Sequence, residues 1–270
     1  MRGFWQSVTW HRHPDMAESA LKRLIQKLVG LTGYKLVQLK AYERRNAGVR
    51  AQAATGPKVF GIGYNKTGST TLEALFRHYG LRAPKQLDQE RLLAGLPFNG
   101  DFNRLQGFIR DYDAFQDFPF SQFETYIACD VLFPGSKFIL TLRDPEAWFN
   151  SYARYYKAAY GFADDAVLTE QSFLDKDLYL FRNYVHAMMR QTVMTVQNNQ
   201  AVPDWSLVYD PVYFKALYQS RNQAIIRYFS GRPDALLVID LTLEKDTRKI
   251  VEFLGLTDSS IIAMPHLNQR

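Results

Sequence analysis

The segment that most narrows the possible folds is Val59-Phe-Gly-Ile-Gly-Tyr-Asn-Lys-Thr-Gly-Ser-Thr-Thr-Leu72. Residues 58–63 form a short apolar run that enters a glycine-rich turn. Residues 70–79 then carry Leu72, Leu75 and Phe76 at helical spacing, with Gly80 placed to end the helix. Strand, tight turn and helix in this order aim the open N–H groups of a helix N-terminus at whatever sits over the turn, and anions suit that position.

The alternation continues along the chain. Residues 113–116 read as a second strand, and 122–133 as a helix stopped by Pro134-Gly135. Residues 137–142 (KFILTL) read as a strand by β-branched and aromatic content, followed by a helix over 146–160. A long helix is expected over 172–199 and another over 211–229. Residues 235–240 (ALLVID) read as a buried strand, and 245–254 as the last clear helix. Continuous apolar strands alternating with helices predict an α/β fold, a P-loop-like parallel sheet covered by helices on both faces. At 270 residues the chain divides into a basic helical extension with its linker, 1–57, and one domain, 58–270.

Charge is unevenly placed. Residues 1–58 hold eleven Lys/Arg against three acids, a net +8, whereas the remainder is −2. Within 17–45, Leu21, Leu24, Ile25, Leu28 and Val29 recur at helical spacing with Lys22, Arg23 and Lys27 between them. Two readings stay open: a helix packed on the body, or an interfacial helix drawn to anionic lipid. No nucleic-acid-binding pattern is present, and no nucleic-acid partner is expected. No apolar run approaches a membrane span, and the first residues lack the apolar core of a secretory signal. A cytoplasmic protein is expected, peripheral at the inner face of a membrane on the lipid reading. Cys129 is the only cysteine and the five histidines are scattered, so neither a disulfide nor a metal site is expected.

Gly63 and Gly68 are five apart, as in the nucleotide-hydrolase loop G-x-x-x-x-G-K-[ST]. Ser69 stands where that loop has lysine, and the cation is Lys66, earlier in the turn, so the ATP site is not reproduced. The string Lys66-Thr-Gly-Ser-Thr70 resembles the 5′-phosphosulfate loop of sulfotransferases, which use 3′-phosphoadenosine 5′-phosphosulfate (PAPS) and release PAP. Residues 136–151 are similar to that family's 3′-phosphate element, an arginine ending a strand and a serine eight residues later on the following helix: here Arg143 and Ser151. Residues 253–256 and Pro265-His266-Leu-Asn268 resemble the close of a mainly bacterial branch. The Arg-Lys-Gly segment of the cytosolic branch is missing, which leaves His266, Asn268 and Arg270 as stand-ins. The resemblance implies sulfuryl transfer without metal, from PAPS to a hydroxyl or amine of a small-molecule, glycan or lipid acceptor. It implies Lys66 at the leaving group and Thr67, Gly68, Ser69, Thr70 and Thr71 around the 5′-phosphate.

The resemblance also calls for a base after the second core strand. This chain offers Asp117 there and no histidine, and a helix cap for a helix starting near Ser121 is its plainer role. Asp130 reads as a residue of a solvated helix face, His78 as a helix C-terminal cation and His186 as a packed residue. Two aromatic runs, within 152–162 and 205–214, are expected to divide between core and acceptor pocket. Leu72 occupies the place of the cytosolic branch's adenine-stacking tryptophan. Two rivals remain: a P-loop kinase or NTPase, since 235–240 resembles a Walker B strand, and a membrane-surface adaptor with a degenerate loop. The acceptor and the oligomeric state are not legible.

Overall fold

A computed structural model describes residues 57–174, 179–256, 260–265 and 267. The basic segment 1–56, and His266, Asn268 and Arg270, lie outside the described residues. The sheet has four parallel strands, β1 (Val59–Gly61), β2 (Ala114–Phe115), β3 (Lys137–Thr141) and β6 (Leu236–Ile239), in the order β2-β1-β3-β6. Val59 pairs with Ala114 on one side and Lys137 on the other. Alternate residues feed two cores, as the period of a strand requires. Phe60, Phe115, Phe138 and Leu140 face one cluster, and Val59, Ala114, Ile139 and Ile239 the other. Phe60 lies at the centre, 5.3 Å from the rings of both Phe115 and Phe138.

The chain leaves β1 toward β2 and returns across it to β3. The order of strands therefore reverses at β1–β3, and the crevice beyond their C-terminal ends is where open α/β sheets bind ligands. The helices confirm most of the expected alternation. After β1 come α1 (Ser69–His78), α2 (Gln86–Leu93), α3 (Leu96–Asn99) and α4 (Phe102–Arg110). α5 (Thr125–Leu132) joins β2 to β3, and α6 (Pro145–Tyr160) follows β3. α9 (Pro211–Tyr228) and α10 (Arg248–Leu254) complete the covering layers. Asp144 caps α6 by accepting Ala147 N at 2.9 Å, with Pro145 at the first helical position, and Gly161 closes it at φ 68. α9 starts the same way, through Asp210 and Pro211.

Three expectations are corrected. The continuous helix over 172–199 is instead α7 (Glu170–Phe173), α8 (Tyr184–Thr192) and an antiparallel hairpin, β4 (Met194–Gln197) with β5 (Gln200–Pro203). Asn198 and Asn199 take φ 49 and 60, the paired left-handed conformation of a two-residue hairpin turn, which Asn tolerates. Residues 235–240 do not form a fully buried strand: β6 pairs only with β3, and Val238 is 41% exposed. Asp130 is not on a solvated face. It accepts from Arg232 Nη2 and from Tyr228 Oη, both at 2.7 Å, and these partners hold its carboxyl below the usual range against the cost of burial. Among the described residues no helix is long and apolar enough to cross a membrane.

Candidate functional site

The loop 62–68 closes tightly because glycine is required where it passes β3. A Cβ on Gly63 would lie 2.1 Å from Thr141 Oγ1 and 2.4 Å from the Thr141 carbonyl oxygen. Gly68 sits at φ 101 as the N-cap of α1 and provides no side-chain cap. The helices α4, α6 and α9 carry an aspartate cap, whereas the first turn of α1, like those of α2, α5, α8 and α10, has no side-chain cap. Its N–H groups have no intrahelical partner and point over the loop. Thr70 is exposed there, whereas Thr71 is buried.

Lys66 also takes a left-handed φ of 69. Its Nζ lies 3.8 Å from the centre of the Tyr155 ring on α6. Burial lowers the lysine's pKa, as do Arg143 and Arg154, while Asp117 opposes them. Arg143 from the loop after β3 and Arg154 from α6 thus share the surroundings of the Lys66 charge. Thr67 faces inward: its hydroxyl contacts the Tyr64 carbonyl and Thr141 Oγ1, the latter at 2.6 Å.

The second motif is tied to the first by several independent contacts. Arg143 Nη1 donates to the Lys66 carbonyl at 3.4 Å. The Tyr218 hydroxyl accepts from Arg143 N at 2.9 Å and donates to the Arg143 carbonyl at 3.0 Å. Trp148, one turn along α6, stacks on Tyr218 at 4.3 Å and donates from Nε1 to the Asn65 carbonyl at 3.1 Å. Asp144 serves as the α6 cap. Ser151 lies in the second turn of α6, half-buried.

Asp117 follows β2 with φ 59. Its Oδ2 accepts from Ser69 Oγ at 2.9 Å and its Oδ1 from Phe118 N at 2.8 Å. The expected cap at Ser121 does not form, because α5 begins only at Thr125 and Ser121 N meets the backbone carbonyl of Asp117 instead. Burial raises the Asp117 pKa, and Glu73 adds to the rise. The hydrogen bonds from Ser69 and Phe118 and the charge of Lys66 oppose it.

His78 lies in the last turn of α1, and His186 packs on the Trp205 ring while bonded to Glu170 at 2.9 Å. The aromatic runs divide. Tyr209 and Phe214 are buried, Tyr152 and Tyr156 link them to the loop, and Tyr155 is 52% exposed. Tyr156 accepts from Asn65 Nδ2, so this wall touches the phosphate loop directly.

Sequence reasoning missed several residues. Arg154 had a readable signal, since it stands three positions after Ser151 on the same helix. Arg221 had none. It is half-buried and donates to carbonyl oxygens, Ile62 at 2.9 Å, Phe123 at 3.2 Å and Phe120 at 3.5 Å, with the Tyr64 ring 4.9 Å away.

A family model described as a sulfotransferase domain matches residues 58–270. The chain belongs to this sulfotransferase family, and the match covers the sheet, both motifs and the Asp117 loop. No curated protein matches the chain at a significant level.

Proposed function

We propose that this sulfotransferase takes PAPS as its donor and transfers the sulfuryl group to an acceptor hydroxyl or amine by in-line displacement. The observation that carries the reading is the convergence of Lys66, Arg143 and the unclosed N-terminus of α1 at the C-terminal ends of two adjacent parallel strands. That arrangement suits a nucleotide with two separated phosphate groups. The donor supplies the SO₃ group. The N–H groups of residues 67–70 hold the 5′-phosphate, and the Ser69 and Thr70 side chains lie beside it, whereas the expected Thr71 hydroxyl is buried. The Thr67 hydroxyl, turned onto Thr141, braces the loop. Arg143 and Ser151 take the 3′-phosphate, and His266 and Asn268 stand in there for the missing Arg-Lys-Gly segment.

Lys66 leaves the Tyr155 face to stabilise the charge that develops on the leaving oxygen. Asp117, across Ser69 from Lys66, accepts the proton of the attacking group. The acceptor is a small molecule, glycan or lipid that lies against the tyrosine wall of α6. Calorimetry with PAP and with Mg-ATP tests the donor. Binding of PAP and not Mg-ATP supports the reading, and the reverse overturns it. Transfer of label from PAPS into cell-extract components then identifies the acceptor.

A further inference from the structure

The helix α2 has no place in the motifs, yet it reaches the end of β2 at one point. Gln89 is 1% exposed, and its Nε2 donates to the carbonyl of Gln116 at 2.7 Å and also to the carbonyl of Phe118. These two carbonyls flank Asp117 on either side. A carboxamide is one of few side chains that offer two hydrogens from a single nitrogen to two acceptors. Between them, Asp117 holds a left-handed φ that a non-glycine residue adopts only under constraint. Without the amide, two buried carbonyls lose this donor, and the peptide that enters Asp117 and the one that follows Phe118 lose a restraint.

We propose that Gln89 is a positioning residue: by clamping the carbonyls of Gln116 and Phe118 it fixes the backbone of Asp117 so that its carboxylate points at Ser69 Oγ beside Lys66. This rests on the reading of Asp117 as the acceptor base. Neighbouring contacts secure the clamp. Gln116 Nε2 donates to Glu73 Oε2 and Gln86 Oε1, both at 3.0 Å, and Gln86 donates to Glu90 Oε1 at 2.8 Å. α2 is therefore joined to both α1 and β2 through side-chain amides. The charged and titratable groups that face Asp117 are Lys66 from the loop, Glu73 from α1, Glu90 from α2 and Tyr156 from α6.

The test is a ¹³C NMR titration of carboxyl-labelled aspartates in the full chain, with the Asp117 signal identified by its loss in Asp117→Asn. In Gln89→Met the side chain keeps its bulk and loses both donors. The Asp117 carboxylate then loses its bonds from Ser69 and Phe118, which favour its charged form, so its titration moves to higher pH. PAP affinity should stay within about twofold, while PAPS hydrolysis with water as acceptor falls by about 10², as expected for a misplaced base. An unchanged Asp117 titration in folded Gln89→Met overturns the proposal. Should that variant not fold, Gln89→Asn serves. Its amide is one methylene too short to meet both carbonyls and adds no charge, the same upward movement is expected, and an unchanged titration again overturns it. Unaltered hydrolysis in Asp117→Asn would remove the base reading alone, because the NMR comparison reports on the clamp without requiring catalysis.

Discussion

Residues 58–72 and 137–151 each run strand, loop, helix, and their strands are hydrogen-bonded neighbours. Residues 170–174 and 179–209 hold instead a four-residue helix, a nine-residue helix, an exposed hairpin and a single 3-10 turn. The first region builds its chemistry from backbone: an uncapped helix end, a loop that requires Gly63 against Thr141, and a strand end that presents Arg143. The second builds its surface from rings, such as Trp205 on His186 and Phe173, with little regular backbone beneath. A site for a fixed nucleotide can be written into main-chain geometry. A surface for a particular acceptor is written in side chains, which can be exchanged without disturbing the sheet.

If that contrast is right, the largest losses come from the first region. Asp117→Asn should lower transfer by ~10²–10⁴, the usual range for removing a general base. It should also raise the melting temperature. Because burial holds the Asp117 pKa above its ordinary value, the folded state binds that proton more tightly than the unfolded chain does. Stability contributed by this group is therefore present at low pH and falls as pH rises through the folded pKa, and a neutral amide removes that loss. In the parent protein, transfer should rise with pH across the same window. Unchanged transfer in Asp117→Asn would leave this residue a structural partner of Ser69.

Lys66→Ala should reduce turnover by ~10²–10³ in a folded protein, the scale of losing a charge-stabilising donor. Near-normal turnover would show that the loop holds phosphate without taking part in the chemistry. A smaller, more selective effect is expected for Arg143→Ala. Hydrogen bonds to charged groups contribute about 1.5–3 kcal/mol, so PAP should bind roughly 10–100-fold more weakly. Adenosine 5′-phosphosulfate, which lacks the 3′-phosphate, should be nearly unaffected, and equal losses by calorimetry would refute the assignment.

Residues 1–58 offer a third contrast, with a net +8 against −2 for the remainder. Each exposed basic residue contributes about 1 kcal/mol near an anionic bilayer. Full-length protein should therefore sediment with anionic liposomes at low salt and release at high salt. Deletion of residues 1–45 should abolish binding, and equal binding by both forms would end this proposal. Least of all should follow from Asn199→Gly in the hairpin turn: a stability change within about 0.5 kcal/mol and unaltered PAP affinity. A collapse of nucleotide binding there would erase the distinction between the two regions.

What could be read from the sequence divides along the same line. β1, β3, α1 and α6 were legible because apolar strands, the glycines at 63 and 68, and Asp144-Pro145 are local signals. The hairpin at 194–203 was not, because its apolar and polar residues also satisfy helical spacing and the turn is Asn-Asn without glycine. The three helices between residues 86 and 110 were passed over. α2 is mostly polar, and its one buried amide, Gln89, acts through contacts 27 and 29 residues away. Arg221 illustrates the same limit, since its partners lie about 100 and 159 positions distant and leave no local pattern.

The helix α9 touches the site in more than one place. Tyr218 grips the peptide of Arg143, and Arg221, three residues on, grips the end of β1 and the stretch after Asp117. These two side chains lie on one face of a single rigid rod, separated by less than one turn. The rod is thus a common ruler for the Arg143 peptide, the end of β1 and the stretch after Asp117. Inserting two residues between Tyr218 and Arg221 would leave the two grips about 140° apart around the axis, so that neither loop could be reached without losing the other. The three segments are therefore held as a unit, and on the proposed function adaptation to a new acceptor falls to the tyrosine wall of α6.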